Sequence, residues 1–148
     1  MGLAIATVAD SISKLSITGL TIQDVDAMTI AINTSTNAIM APVEGWITNF
    51  ELVYDSQGSG DVAQKTVRYD LNYRLYYRPV GSNRDLLTVG GLVDMIVAIL
   101  DAVIDIVNLT GAVEIMPTPN IRMGVVVAPD GSLHFGCDLG FRVMEFDN

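Results

Sequence analysis

The sequence predicts an α+β fold: an antiparallel sheet of about four main strands, with a long-looped β-hairpin and two α-helices packed on one face. Two periodicities predict it. From Lys65 to Tyr77 apolar and polar residues alternate strictly, which is the period of a strand with one buried face. In two other segments apolar residues recur at steps of three and four, the period of a helix. The chain has 148 residues without a linker or repeat, so we expect a single domain, residues 1–148.

The N-terminal part of the chain predicts one helix and one short strand. An apolar stripe predicts a helix from about Ala4 to Ser16, and Gly19 is placed to end it. A short strand is predicted near Leu20–Gln23. Residues 24–44 carry no clear period and are predicted to be loop.

A β-hairpin is predicted next. Its strands are Ile47–Tyr54 and the alternating segment that begins at Lys65, and the polar segment Asp55–Gln64 joins them. Hairpin connections usually have about two to five residues, so this one is long. Extra length in a loop that has no role in the core often serves a contact with another molecule.

The second helix is predicted from about Leu86 or Gly91 to Val107. One apolar stripe suits the core, and a second is displaced around the helix axis. The first stripe consists of Ile96, Ile99, Val103 and Ile106, and the second of Val93, Val97, Leu100 and Ile104. Two interpretations fit the second stripe: a helix wedged between the sheet and the first helix, or a subunit interface.

The C-terminal part predicts three strands. They are Ala112–Met116, Ile121–Ala128 and Leu133–Phe146, and a tight turn at Pro129–Gly131 joins the last two. Alternation in the last strand directs Cys137 and the odd-numbered residues after it toward the core.

The composition limits the classes of function. The 17 acidic residues outnumber the 8 basic ones and the net charge is −9, which disfavours binding along nucleic acid or an anionic membrane. Only 17% of the residues are charged, which suggests that much of the surface is buried in an assembly. Cys137 is the only cysteine, so no disulfide forms within the chain. Asp94, Asp101 and Asp105 interrupt the longest apolar run, and no basic residue precedes Lys14, so we expect neither a membrane span nor a secretory signal.

The segment "HFGCD" is the one place where histidine, cysteine and aspartate lie close together in the sequence. On a strand, His134 and Cys137 point to opposite faces, and His134 and Asp138 lie about 13 Å apart at roughly 3.3 Å per residue. We therefore expect a buried structural cysteine and a surface histidine. The glycine segments lack the companions of a phosphate or dinucleotide loop. No enzymatic activity, cofactor or metal is predicted.

The polar face of the alternating strand has two interpretations. Its residues Arg68, Asp70, Asn72 and Arg74 can form solvated pairs with Asp138 and Arg142 of the last strand. Six of the eight basic residues are arginine, which favours multidentate pairing with another protein. We expect a protein contact, and the predicted interface residues are Val93, Val97, Leu100, Ile104, Arg68, Asp70, Arg74 and Arg142.

Taken together, the pattern resembles a known family. An amphipathic helix precedes the hairpin "WITNFELVYDSQGSGDVAQKTVRYDLNYRLYYRPVGSNR", and a largely apolar helix, a hairpin and the strand "RVMEF" follow it. This layout is similar to the tail terminator, or head–tail joining, proteins of long-tailed bacteriophages. The similarity extends from Ile47 to Phe146.

The resemblance implies a structural virion protein in the neck of the phage tail. It implies a homo-oligomeric ring, typically hexameric, that terminates the tail tube, binds the tail tube protein and joins the tail to the head connector or stopper protein. DNA passes through its channel without specific binding, and assembly takes place in the host cytoplasm. The long loop would contact the axial neighbour through Asp55, Gln57, Gly58, Gly60, Asp61 and Gln64.

Several alternatives remain open. A stopper, a head-completion protein or the tail tube protein itself has comparable size and would explain much of the pattern. A small ligand-binding or enzymatic domain would use a pocket near His134 or Arg68. A cellular adaptor that is monomeric until it meets its partner would expose an apolar patch.

Overall fold

The structure is a computed structural model. It describes residues 5–23, 37–55, 64–80, 86–106, 113–117 and 121–147. In chain order the elements are α1 (Ile5–Ser13), β1 (Leu20–Ile22), β2 (Ala38–Asp55), β3 (Gln64–Pro79), α2 (Leu86–Ile104), β4 (Val113–Pro117), β5 (Met123–Val127) and β6 (Leu133–Asp147).

The predicted fold class is wrong in its sheet. Strands make up 57% of the described residues. The six described strands form one curled, mixed sheet, whereas an antiparallel sheet of about four main strands was predicted. The sheet order is β1-β2-β3-β6-β4, and β5 pairs with β6 as well. Strands β4 and β5 therefore share one edge of β6, with β5 beside its start and β4 beside its end.

The mixed character of the sheet comes from β1. Leu20, Thr21 and Ile22 pair in parallel with Ala38, Ile39 and Met40. A parallel pair needs a crossover of about a dozen residues or more, and residues 23–37 supply that length. Residues 24–44 were predicted to be loop, but β2 begins at Ala38. Residues 24–36 lie outside the described part of the chain.

The central strands carry the strongest sequence signal and form as predicted. β3 pairs antiparallel with β2 on one side and with β6 on the other. The odd-numbered residues of β3 from Val67 to Leu75 are buried, and so are alternate residues of β6. In β6 the buried residues of this face are Cys137, Leu139, Phe141 and Val143, as the alternation predicts.

Both helices contribute to the core on that face of β3. Val8 and Ile12 of α1 are fully buried, and α2 adds its own buried stripe of Leu92, Ile96, Ile99 and Val103. Gly91 brings α2 close to Tyr77 of β3, because a Cβ atom at Gly91 would collide with the Tyr77 hydroxyl. One face of α2 is therefore fixed on the sheet, and this fixes which of its other faces are exposed.

Candidate interaction surfaces

The even-numbered face of β3 is the polar face whose partner the sequence left open. Arg74 lies directly opposite Asp138, and its Nε and Nη2 donate to Oδ1 and Oδ2 at 2.6 and 3.2 Å. Both side chains keep access to water, with Asp138 65% exposed. This bidentate pair raises the pKa of Arg74, and as a partly exposed pair it contributes about 0.2–1 kcal/mol.

Asp70 lies two pairs further along the same face and is buried. Its carboxylate accepts hydrogen bonds from Arg142 Nε at 3.1 Å and from Asn49 Nδ2 at 2.7 Å. Only 6% of Asp70 is exposed. Asn49 reaches it from a bulge of β2, where its backbone has a positive φ of 54°. Asp70 is therefore held by side chains of both neighbouring strands.

Asn72, between these two ion pairs, contacts the irregular part of β2. Its Nδ2 donates to the Gly45 and Trp46 carbonyls at 3.2 and 3.3 Å and to Thr48 Oγ1 at 2.8 Å. Gly45 has a positive φ of 73°, and pairing with β3 shifts between Pro42 and Ile47. Asn72 thus stabilises this bulge, because it donates to carbonyl groups of β2 that lie outside the register pairs with β3.

Arg68 differs from the rest of the polar face. It is exposed, its register partners are Glu51 on β2 and Met144 on β6, and it makes no ion pair among the described residues. The predicted interface residues of the sheet thus divide into two groups. Asp70, Arg74 and Arg142 bind partners within the chain, and Arg68 projects outward.

The second apolar stripe of α2 is exposed. The exposed fractions are 39% for Val93, 51% for Val97 and 47% for Ile104, whereas Leu100 is half-buried and packs against the core. Val89, 52% exposed, extends the stripe by one turn and was missed by the sequence analysis. We call the five residues Val89, Val93, Val97, Leu100 and Ile104 the lateral stripe.

The lateral stripe lies about a quarter turn around α2 from the buried stripe, at 100° per residue. On its far side the exposed residues Asp94, Ala98, Asp101 and Asp105 form a polar stripe. Helix α1 packs into the same core as α2 but does not bury Val93, Val97 or Ile104. A helix wedged between sheet and α1 therefore does not account for the lateral stripe.

The hairpin loop predicted to make an axial contact falls mostly outside the described residues. Gln57, Gly58, Gly60 and Asp61 lie there, whereas Asp55 and Gln64 are the paired ends of β2 and β3. The described strand that leads to the loop is unusually exposed. Ile47, Phe50 and Leu52 of β2 are each more than a third exposed, and Phe50 stacks on buried Tyr69 with ring centroids 6.1 Å apart.

His134 is buried, so the prediction of a surface histidine is wrong. Only 3% of it is exposed, because the ring of Tyr76 from β3 packs edge-on against it with centroids 5.5 Å apart. Burial lowers the pKa of His134. The prediction of a buried Cys137 is confirmed, and burial raises its pKa to about 12.

Ser132 lies beside His134 and was not considered from the sequence. Its Oγ is 2.9 Å from His134 Nε2 and donates to Asp130 Oδ1 at 2.5 Å. A hydroxyl has one hydrogen, and here Asp130 accepts it, so Nε2 is the donor toward Ser132. The Ser132 N–H also donates to Asp130 Oδ1, and both bonds lower the pKa of Asp130. The network therefore closes the β5–β6 turn.

A second buried polar pair was also missed. The Tyr69 hydroxyl donates to Glu145 Oε2 at 2.8 Å, and burial followed by this bond raises the pKa of Tyr69. Glu145 is nearly buried on β6. The alternation on β6 places Glu145 on the core face. An acidic residue at a core position was therefore the sequence feature that could have predicted a buried polar pair.

No protein-family profile and no curated protein matches this chain. In the described part of the chain, no three histidine, cysteine or acidic side chains are grouped as metal ligands, and neither helix has the length and apolarity to cross a membrane.

Proposed function

We propose that this chain is a structural subunit that assembles into a ring, in the neck of a phage tail, where the ring terminates the tail tube and joins it to the head connector. The observation that carries the proposal is the lateral stripe of α2. Four of its five valine, leucine and isoleucine side chains are exposed on a helix whose other apolar stripe is buried. Contiguous exposed apolar residues mark interaction sites.

The position of the lateral stripe favours a ring over a simple pair. It lies on the flank of α2, beside the sheet, and the exposed residues Ile47, Phe50 and Leu52 lie on a different element, β2. Two distinct apolar surfaces suit a contact in which one surface of a subunit meets another surface of the next. Such heterologous contacts close into rings when the rotation between subunits is suitable.

Charge supports the part of the proposal that concerns DNA. The net charge is −9, and three exposed aspartates lie in one row: Asp94 and Asp101 on α2, and Asp105 directly after its end. An acidic surface gives no counterion-release affinity for the DNA backbone. DNA would slide through a channel built from such subunits without being retained.

Electron microscopy of the purified protein tests the proposal. We expect single annular particles, and we expect Val97→Asp to abolish them because it places a charge in the lateral stripe. Ala98→Asp is the matched control, since Ala98 is exposed in the neighbouring polar stripe of the same helix. Long open tubes would instead favour the tail tube alternative. Rings that persist unchanged in Val97→Asp would contradict the assigned surface, and the absence of any ring would contradict self-assembly.

A further inference from the structure

Strand β5 has an open edge. It pairs with β6 on one side, and among the described strands none pairs with its other side. Its sequence, "MGVVV", contains no charge and no proline. An edge strand of this kind presents unpaired N–H and C=O groups and is a template for another strand.

The outer half of β2 also lies at an edge, but it carries the features that block strand addition. It contains Pro42, two residues of positive φ, Gly45 and Asn49, and two shifts of register. Strand β4 ends in Pro117. Bulges and prolines protect exposed edges, and β5 has neither. Of these edges, β5 is the one open to pairing.

The direction of the β5 backbone groups follows from the turn that ends the strand. The Ala128 N–H donates to the Ser132 carbonyl at 2.8 Å, so these residues form a hydrogen-bonded pair. Bonded and non-bonded pairs alternate along an antiparallel ladder. Gly124 and Val126 therefore bond to β6, and three residues direct their N–H and C=O groups to the open edge: Met123, Val125 and Val127.

The same three residues have apolar side chains on one exposed face. Met123, Val125 and Val127 are each about half exposed, and so is Leu133, the register partner of Val127. A strand added at the open edge would therefore gain backbone hydrogen bonds and extend this apolar surface.

We propose that the occupant is a second copy of this chain, with the two β5 strands antiparallel and Val125 of each copy at the two-fold axis. This register sets Val125 against Val125, and Met123 against Val127 in both directions. All outward-directed residues then face one another in hydrogen-bonded pairs. A register shifted by two residues has one hydrogen-bonded pair fewer. A register shifted by one residue places Gly124 and Val126, whose backbone groups bond to β6, opposite the outward-directed residues of the other copy.

Charge favours a second copy at this edge. Arg122 and Asp130 are the only charged residues between Met116 and Cys137, and both are exposed. They flank β5 at opposite ends, so antiparallel pairing brings Arg122 of one copy to the end that carries Asp130 of the other. Elsewhere two chains of net charge −9 repel each other. The pairing is two-fold and separate from the cyclic contact proposed for α2, and it does not rest on the proposed function.

Disulfide trapping tests the pairing and its register. Val125→Cys should form a disulfide-linked dimer on mild oxidation, because opposed residues of a hydrogen-bonded pair have Cα atoms about 5.5 Å apart, within the range of a disulfide. Met123→Cys is the matched control on the same strand and face. Its two copies would lie about 15 Å apart, four residues along at about 3.4 Å per residue and one strand spacing across, so we expect trapping at least about tenfold slower. The native Cys137 is buried and adds little background.

A mixing experiment makes the register unambiguous. Met123→Cys and Val127→Cys should each trap poorly alone and should link to each other when mixed. Val125→Pro provides a second measurement, since it removes an outward N–H while the bonds to β6 remain. It should retain the circular dichroism of the wild type and lose the pair in sedimentation. Equal trapping of Val125→Cys and Met123→Cys, or none at either, would overturn the proposal. The Val97→Asp variant should still trap through Val125→Cys, so failure of the ring and failure of this pair are distinguishable.

Discussion

The polar face of β3 and the lateral stripe of α2 were both predicted to be interfaces, but they differ in how far their side chains have partners within the chain. On the polar face Arg74 forms an ion pair with Asp138, and Asp70 forms one with Arg142 of the same chain. On the helix Val93 and Val97 have no comparable cover in the described structure. The difference shows that alternating charges on neighbouring strands can form ion pairs with one another within the chain. An apolar stripe outside the core, in contrast, leaves water only when a second molecule covers it.

The two apolar stripes of α2 give the largest expected effect. Ile99 is fully buried and Val97 is 51% exposed. Ile99→Ala should lower the free energy of unfolding by about 2–5 kcal/mol, because it leaves a cavity in the core. Val97→Ala should change it by no more than about 0.5 kcal/mol. Urea unfolding of both variants measures this, and a similar loss at both positions would mean that Val97 is buried within the chain.

The two ion pairs of the polar face should differ by a smaller amount. Asp70→Ala should cost about 1–3 kcal/mol, because it removes two hydrogen bonds to a buried carboxylate, from Asn49 and from Arg142. Asp138→Ala should cost less than about 1 kcal/mol, because its pair with Arg74 is partly exposed. The same unfolding experiment compares them. Equal costs would contradict the inference that Asp70 is an internal structural residue.

The sequence predicted the regular elements better than their arrangement. β3, β6 and α2 appear close to their predicted bounds because their periods of two and of three to four residues are long and local. The parallel pairing of β1 was missed because it depends on residues far apart in the chain. Likewise the bulge at Asn49 depends on the positive φ of this residue, which the pattern of apolar and polar residues does not predict.

The candidate surfaces divide in the same way. Periodicity identified the lateral stripe of α2 but could not decide whether α1 would cover it, since that depends on packing. His134 was predicted at the surface because its cover, Tyr76, comes from another strand. Pairing of Asp70 with Arg142 depended on the register of β3 against β6, which the sequence alone leaves open.

The buried His134 makes a prediction about pH. Because burial lowers its pKa below the ordinary value of 6.5, the unfolded chain binds this proton more readily than the folded one. Stability should therefore be full above pH 6.5 and fall as the pH drops through the interval below it. The His134→Gln variant should lose this dependence in thermal melts between pH 7 and 5. An unchanged slope in the variant would assign the titration to another group.

Arg68 gives the smallest expected effect and sharpens the role of the polar face. It is exposed and makes no ion pair among the described residues, so Arg68→Ala should alter the free energy of unfolding by no more than about 0.5 kcal/mol. If the polar face contacts a partner, the variant should still weaken assembly, as judged by the concentration at which larger species appear. Unchanged assembly would leave the polar face as a purely internal network.

The most direct test of the central claim is the solution mass from light scattering over a concentration series. Wild type and Ala98→Asp should approach about six times the chain mass of 15.9 kDa, or about twice that where the β5 pairs join two rings. Val97→Asp should stay no larger than the pair formed through β5. This result would place the assembly contact on the lateral stripe. A single-chain mass for the wild type at every concentration, or an unchanged assembly mass for Val97→Asp, would contradict the account.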